Sequence, residues 1–266
     1  MHAAGVRRRL NSVNNVVDIL EAFSFEAPTW TVSALARRNR LSKAATHTLL
    51  ANLEARNILE KDRDTSIYAV GIRFWEIGLR VMSSNKLPKV CDPWLRQLRD
   101  QSGESCYLAI YDHGEALYVG KAESQNPVQA YTILGARAPS HCTASGKVLL
   151  AAQPDAEIAR VLGTPLVRYT PTTIVDPLEA RKMIAKVKRQ AYALSIGEWR
   201  SEVQSVAVPL QVHNQILAAI CITGPAYRFK PSRALELVDK LRGAAREIQI
   251  FLGMDRQQLA KAKAGT

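Results

Sequence analysis

The sequence predicts an α+β protein made of two unequal parts: three helices and a β-hairpin, then a linker helix and a larger α/β domain. Apolar residues recur at helical spacing in three segments before residue 56, and two short apolar segments around a polar turn follow. Beyond residue 86, helical and strand-like segments alternate. A length of 266 residues accommodates two domains. We predict boundaries at 9–71, 72–85 for the linker helix, and 86–255.

The N-terminal part has the pattern of a winged helix. Thr31 opens a short second helix, residues 39–42 form a tight turn, and Ser42 caps a third helix. Inward positions of this third helix recur at i, i+3, i+4 and i+7: Thr46, Leu49, Leu50 and Leu53. Two apolar strands, 58–61 and 67–70, then flank a polar tip and predict the hairpin of the wing.

The linker helix, predicted over residues 72–83, is apolar over a wide arc. The side chains of this arc are Phe74, Trp75, Ile77, Leu79 and Met82. One neighbouring domain does not need so wide an apolar face. We therefore expect a second subunit to cover part of it, as in a homodimer or tetramer.

The charge of the chain suits a polyanionic partner. The net charge is +12, a balance typical of nucleic-acid-binding proteins, although a basic surface without a special partner also has it. Residues 31–56 carry five basic side chains against Glu54 alone, a local net charge of +4. This concentration favours one basic face over a diffuse distribution.

A helix-turn-helix places its second helix in the major groove and braces it with the first. Here 31–39 would brace and 43–56 would read double-stranded DNA, with Lys61 and Arg63 in the wing near phosphates. The alternative is a small helical domain with a solvated basic face. The predicted DNA-binding residues are Thr31, Arg37, Arg38, Ser42, Lys43, Ala45, Thr46, His47, Thr48, Lys61 and Arg63.

The second part predicts strand hairpins with helices packed to one side. Strand segments are expected at 107–111, 116–119, 128–133, 203–208 and 216–222, the last pair turning at His213 and Asn214. Helices are expected near residue 95 and at 144–152, 178–190 and 235–252.

Several separated motifs resemble IclR-type transcription regulators. Residues 32–54 are similar to the family's DNA-binding motif, and 135–151 to the most characteristic stretch of its effector domain. Residues 205–209 and 222–225 match its last two strands. The resemblance implies a GAF-like effector domain, dimers or tetramers, and palindromic DNA sites. Thr48 departs from the family, which usually has an arginine at this position, so an operator sequence should not be transferred from relatives.

The same resemblance locates a pocket for a small organic acid. A helix start after residue 135 offers free N–H groups to a carboxylate. The opposite wall, where the family often has Asp, Cys, Ser and Ser, carries Ser195, Ser205, Cys221 and Thr223. The missing aspartate suggests a larger or more apolar acid, such as an aromatic one. The predicted effector-binding residues are Gly135, Arg137, His141, Thr143, Ala144, Ser195, Ser205, Cys221 and Thr223.

Other functions have weaker support in the sequence. His141 and Cys142 suggest a nucleophile and its base, yet adjacent side chains on an extended segment point apart. Residues 143–147 lack the spacing of a phosphate-binding P-loop. An adaptor that uses the winged helix for protein contacts is a further alternative. No cofactor or metal site is expected, since the four cysteines are widely spaced. No signal peptide or membrane span is evident, so we expect a cytoplasmic protein.

Overall fold

The computed structural model describes residues 11–24, 26–84, 86–212 and 215–253, with no description of the side chains of 82–84. The predicted domain ends at 9–10 and 254–255, residue 85 of the linker and the turn at 213–214 lie outside these residues. The chain divides into two compact units between Lys86 and Leu87.

The first unit consists of four helices and a three-stranded antiparallel sheet. Its elements are α1 Asn11–Glu21, β1 Thr29–Trp30, α2 Val32–Arg38, α3 Lys43–Glu54, β2 Leu59–Lys61, β3 Tyr68–Val70 and α4 Ile72–Ser84. The strand order is β1-β3-β2. The sequence predicted the helices and the hairpin but not β1, which pairs Trp30 with Tyr68. Ile19, Leu35, Leu50 and Tyr68 lie in the core.

The second unit contains a six-stranded antiparallel sheet in the order β6-β5-β4-β9-β8-β7. Its strands are β4 Ser105–Asp112, β5 Glu115–Ala122, β6 Arg137–Pro139, β7 Ala193–Ile196, β8 Val203–Val212 and β9 Gln215–Pro225. The helices are α5 Lys86–Ser102, α6 Ala144–Ala151, α7 Asp155–Leu162, α8 Pro177–Gln190, α9 Pro231–Glu236 and α10 Val238–Gly253.

Helices cover both faces of this sheet, so the expectation of helices on one side was wrong. Successive strand residues point to opposite faces. Leu108 therefore packs in a cluster with α5 and α10, whereas Tyr107 and Ala109 pack in a second cluster with α6 and α8. Buried apolar residues on both sides of the strands make the sheet the central layer of three.

The predicted strand at 128–133 is also wrong. This segment has no regular structure. The strand that pairs with β5 on the side away from β4 is Arg137–Pro139. The Tyr107 hydroxyl donates to the Ala130 carbonyl oxygen at 2.9 Å and accepts from the Thr132 N–H at 3.1 Å. A buried side chain thus takes backbone groups that a strand would have paired. The predicted closing helix is interrupted at Leu237, between α9 and α10.

Candidate nucleic-acid interface and ligand pocket

Hydroxyl caps define the starts of both helices of the helix-turn-helix. The Thr31 Oγ1 atom accepts from the Ala34 N–H at 3.3 Å, and the Ser42 Oγ atom accepts from the Ala45 N–H at 3.1 Å. Each cap satisfies one backbone donor that the first turn leaves without a partner. Arg40, in the turn between the helices, has a left-handed φ of 54°. Both cap hydroxyls keep their own protons, which remain available to a phosphate oxygen.

The α3 helix has one buried face and one exposed face. Leu50 and Leu53 are buried, whereas Lys43, Ala45 and His47 are exposed. These outward positions come from the first turn and a half of the helix. In a helix-turn-helix, this is the part that reaches base edges in the major groove.

Thr46 requires a correction among the predicted DNA-binding residues. Its side chain has no exposed surface, and its hydroxyl donates to the Ser42 carbonyl oxygen at 3.0 Å. Thr46 therefore holds α3 against the core and cannot reach DNA. Thr48, by contrast, is exposed, although its hydroxyl donates within the helix to the Ala44 carbonyl oxygen at 3.0 Å.

Exposed basic side chains flank α3 in the sequence and lack ion pairs among the described residues. Arg37, Arg38, Arg40, Lys43 and Arg56 are all exposed, and none forms an ion pair with a described residue. The Arg38 guanidinium lies 5.6 Å from the centre of the Trp30 ring. A surface with this balance attracts a polyanion without first breaking internal ion pairs.

The wing is closed by a hydrogen-bonded turn. The Asp62 Oδ1 atom accepts from the N–H groups of Asp64 at 2.9 Å and Thr65 at 2.8 Å. The hydrogen bond from Thr65 makes the largest contribution to lowering the pKa of Asp62, and the bond from Asp64 adds to it. Arg63 is exposed at the tip, and the Lys61 ammonium lies 5.7 Å from the centre of the Tyr68 ring. The turn thus fixes the hairpin that carries both wing cations, Lys61 at the end of β2 and Arg63 at the tip.

In the second unit, hydroxyl-bearing residues form a row across four adjacent strands. The register pairs Ser195 with Ser205, Ser205 with Thr223, and Thr223 with Ser105. Residues paired directly across neighbouring strands lie on the same face of a sheet. The sequence predicted three members of this row and missed Ser105.

A cavity of about 440 Å³, open mouth included, lies over part of this row. Its lining residues are Tyr118, Ala130, Tyr131, Thr132, Thr143, Ser195, Trp199, Arg200, Val203, Ser205 and Thr223. Four of the predicted effector-binding residues therefore come together: Thr143, Ser195, Ser205 and Thr223.

The hydroxyls of the cavity differ in how they are already bonded. Ser195 donates to the Cys142 carbonyl oxygen at 2.7 Å, and Thr143 donates to the Pro139 carbonyl oxygen at 2.8 Å. The Thr143 oxygen also accepts from the Gly146 N–H at 3.1 Å as the cap of α6. Ser205 makes no side-chain hydrogen bond with a described residue. Its hydroxyl is therefore available to a ligand.

The other five predicted effector-binding residues do not line the cavity. Arg137 is exposed and pairs with Asp112 and Glu115. Gly135, with a φ of +83°, is exposed on a turn. The remaining three, Ala144, His141 and Cys221, are buried. Burial lowers the pKa of His141, whose Nε2 atom lies 3.0 Å from the Val167 carbonyl oxygen.

Sequence reasoning missed the aromatic and cationic part of the cavity. Tyr118, Tyr131, Trp199 and Arg200 all belong to its lining. Trp199 and Arg200 lie just after β7, four and five residues beyond Ser195. Their closeness in sequence to a predicted pocket residue was the available signal. The Arg200 guanidinium lies 5.0 Å from the centre of the Trp199 ring.

A buried ion pair connects α6 to the loop that carries Trp199 and Arg200. The Lys147 ammonium donates to the Glu198 Oε1 atom at 2.5 Å and to the Leu194 carbonyl oxygen at 2.9 Å. Burial lowers the pKa of Lys147, and the Glu198 carboxylate opposes that shift. The helix itself packs very closely, because a Cβ atom at Gly146 would lie 2.5 Å from the Ser140 Cα atom.

The possible nucleophile of the enzyme alternative is inert here. Burial is the first cause that raises the pKa of Cys142 to about 12, and the thiol is therefore protonated at neutral pH. The hydrogen bond of His141 goes to a backbone carbonyl and not to Cys142.

Within the described residues, no three histidine, cysteine or carboxylate side chains are placed to hold a metal ion. No helix in the described part of the chain has the length and apolar content of a membrane span.

A helix-turn-helix with exposed basic side chains that form no ion pair with a described residue, followed by a separate α/β unit with a cavity lined by hydroxyls, aromatic rings and one arginine, defines the class of helix-turn-helix transcription regulators. Two family models match the chain: the IclR helix-turn-helix domain over residues 12–63, and the bacterial transcriptional regulator IclR C-terminal domain over residues 79–250. The chain belongs to the IclR family of transcriptional regulators. Its α+β fold, predicted from the sequence, is confirmed.

Characterised relatives are regulators of the same kind. The chain is 28% identical over 246 residues to the regulator XynR of Escherichia coli K12, covering 92% of this chain and 98% of XynR. It is 29% identical over 243 residues to the repressor AllR of Klebsiella pneumoniae, covering 91% of this chain and 89% of AllR. These relatives are DNA-binding regulators, and the enzyme alternative has no support among them.

Solved structures of IclR-family proteins match the fold over about nine tenths of the chain. An IclR homologue of Microbacterium hydrocarbonoxydans in complex with 4-hydroxybenzoate is 27% identical, with a TM-score of 0.79 and coverage of 90% of this chain and 98% of that one. The IclR protein of Thermotoga maritima is 26% identical, with a TM-score of 0.70 and coverage of 92% and 100%.

Proposed function

We propose that this IclR-family regulator binds a palindromic operator as a homodimer or tetramer and that a small organic acid in the cavity controls the binding. The observation that carries the DNA part is the exposure of Lys43 and His47 in the first half of α3, together with exposed arginines at 37, 38 and 40 that form no ion pair with a described residue. Residues 9–71 would bind DNA, 72–85 would link, and 86–255 would bind the effector. Because its target is DNA, we propose that the protein acts in the cytoplasm.

The proposed DNA-contacting set is the exposed part of the predicted one. Lys43 and His47 are suited to phosphates or guanine edges, and Ala45 and the Thr48 methyl to thymine methyl groups. Arg37 and Arg38 on the bracing helix would contact phosphates, as would Lys61 and Arg63 in the wing. Thr31 and Ser42 would donate their cap hydroxyls to phosphates at the helix starts.

A salt titration tests this interface. We expect Lys43→Ala and Arg38→Ala each to weaken binding to duplexes from the chain's own genomic neighbourhood and to reduce the slope of log K against log salt by about 1, since each lost phosphate contact releases one fewer counterion. Fluorescence anisotropy at several salt concentrations measures both quantities. Arg181→Ala, which removes an exposed arginine from the second unit, is the matched control. Unchanged affinity and slope in both variants would favour the adaptor alternative.

The second subunit is proposed from the apolar face of α4. Trp75 is 66% exposed and Ile72 is 64% exposed, and both line a groove with Phe74 and Leu79. Such a contiguous apolar surface on one helix is typical of a subunit interface. Two-fold symmetric dimers match operators with two-fold symmetry.

The effector is proposed to be a small organic acid because the cavity carries hydroxyl donors and one arginine, and because a solved homologue holds 4-hydroxybenzoate. A thermal-shift screen of small acids against the full chain tests this. A ligand at 100 times its Kd stabilises the folded state by about 2.7 kcal/mol. A complete panel of aliphatic and aromatic acids that leaves Tm unchanged would contradict the proposal.

A further inference from the structure

Arg200 differs from every other residue that lines the cavity of the second unit. It is the one charged side chain in that lining, which otherwise consists of aromatic, hydroxyl-bearing and small apolar residues. The guanidinium is exposed and forms no ion pair with a described residue. The guanidinium contacts the Trp199 ring, whose centre lies 5.0 Å away. A positive charge without a carboxylate partner therefore stands at the cavity.

The loop that carries Arg200 is held in place from two directions. From α6, the Lys147 ammonium binds the Glu198 Oε1 atom at 2.5 Å, which fixes the residue two positions before Arg200. From the segment before α8, the Thr170 hydroxyl donates to the Gly197 carbonyl oxygen at 2.7 Å, and the Thr173 hydroxyl donates to the Glu198 carbonyl oxygen at 2.6 Å. A side chain on a fixed backbone loses less conformational entropy when it binds a ligand.

Gly197 shows that this loop has a required shape. Its φ is +65°, in the left-handed region that favours glycine, and a Cβ atom there would lie 3.1 Å from the Ser201 carbonyl oxygen. The tight turn brings Trp199 and Arg200 to the cavity directly after β7, which carries Ser195. β7 and the turn that follows it thus contribute a hydroxyl, a flat ring and a cation to the cavity lining.

The rest of the lining adds flat and hydrogen-bonding surfaces. Tyr118 and Tyr131 supply aromatic rings, and Ser205 and Thr223 supply hydroxyls from adjacent strands. No acidic side chain belongs to the lining of this cavity. A ligand that matches all of these groups has one negative charge, an aromatic ring and a polar substituent.

We propose that Arg200 is the specificity-determining residue of the cavity and that it pairs with the carboxylate of a small aromatic acid. The inference rests on the proposed function, in which the cavity is the effector site. Arg200 selects acids over neutral ligands of the same shape. Trp199 and the tyrosines then select rings over aliphatic chains, and the hydroxyl row receives a polar substituent.

Isothermal titration of the full chain with matched acid and amide probes tests this assignment. The probes are benzoate, 4-hydroxybenzoate and phenylacetate, each with its own amide, together with pyruvate as an aliphatic acid. We expect the wild type to bind at least one acid more tightly than its amide. Arg200→Gln should weaken that acid about tenfold or more, since a charge-assisted hydrogen bond contributes about 1.5–3 kcal/mol. Affinity for the amide should not change. Arg200→Lys should retain part of the preference.

The controls separate the two levels of the proposal. Arg181→Gln removes another exposed arginine, on α8, and should leave the acid affinity unchanged; thermal unfolding of each variant verifies folding. If an acid binds Arg200→Gln as tightly as it binds the wild type, the role of Arg200 is overturned, but the proposal that the cavity is the effector site is not. Binding of aliphatic acids such as pyruvate, with no binding of any aromatic acid, overturns the inference and keeps the proposed function. No binding of any acid overturns both.

Discussion

At the scale of single residues, the stability of the second unit depends on the buried Lys147–Glu198 ion pair. The Lys147 side chain is 2% exposed and that of Glu198 is 11% exposed. The Glu198 Oε2 atom is buried without a hydrogen-bond partner among the described residues. Moving two charges out of water costs several kcal/mol, which only their mutual attraction and added hydrogen bonds offset. Loss of one partner is therefore worse than loss of both.

We expect Glu198→Gln to lower the free energy of unfolding by about 3 kcal/mol, because it leaves the Lys147 ammonium buried without its counter-charge. Adding Lys147→Met should recover part of that loss, since it removes the buried charge. Urea denaturation of the two single variants and the double variant completes a double-mutant cycle.

The control is the exposed pair of Arg233 and Glu236. Glu236→Gln should change stability by no more than about 0.5 kcal/mol, since exposed ion pairs contribute little. A double variant less stable than Glu198→Gln alone would show that the pair is not coupled in the way described.

At the scale of the element, the α3 helix depends on its N-cap residue in two ways. Ser42 caps the backbone of α3, and in the proposed complex its hydroxyl also donates to a phosphate. The two roles are separable, because a carboxylate caps a helix as well as a hydroxyl does but repels a phosphate.

We expect Ser42→Ala to lower stability by about 1 kcal/mol through loss of the cap. Ser42→Asp should keep the stability and still lose most of the DNA affinity. Thermal unfolding and anisotropy, measured on the same samples, give both quantities. Tight DNA binding by Ser42→Asp would show that no phosphate contacts residue 42.

Sequence reasoning predicted some elements correctly and failed for others. The third helix was predictable because Leu50 and Leu53 repeat at helical spacing behind a capping serine. The segment 128–133 was not, because its apolar residues resemble a strand while the buried Tyr107 hydroxyl takes its backbone groups. Periodicity indicates which residues are buried but not which layer buries them, so helices on both faces of the sheet were missed.

The same limit applies to the pocket. The hydroxyl row was found because Ser195, Ser205 and Thr223 align with motifs that the family shares. Arg200 was missed because an exposed arginine next to a tryptophan is ordinary in any sequence. Its significance depends on the absence of an acid from the cavity lining, which only the three-dimensional arrangement reveals.

At the scale of the whole molecule, the proposed assembly rests on the exposed apolar face of α4. Six apolar side chains of this helix are at least 40% exposed: Ile72, Phe74, Trp75, Ile77, Leu79 and Val81. Covering them with a second copy would remove their surface from water, at about 25 cal/mol for each Å² buried. The interface would then set the spacing of two reading helices.

We expect Trp75→Glu to shift the chain towards the monomer and to weaken operator binding, because one half-site holds DNA far less tightly than two. Light scattering after size exclusion reports the mass. Leu178→Glu, at an equally exposed leucine of α8, is the control and should change neither the mass nor the affinity. An unchanged mass for Trp75→Glu would place the subunit contact on another surface.

The hydroxyl row has a consequence for how the cavity distinguishes closely related molecules. Neighbouring strands lie about 4.8 Å apart, so Ser195, Ser205 and Thr223 mark steps of that length across the cavity floor. A ring anchored by its acid group at one end would point an ortho, meta or para substituent at different steps. We therefore expect the protein to rank positional isomers of one compound differently, by geometry alone and with no change in their polarity.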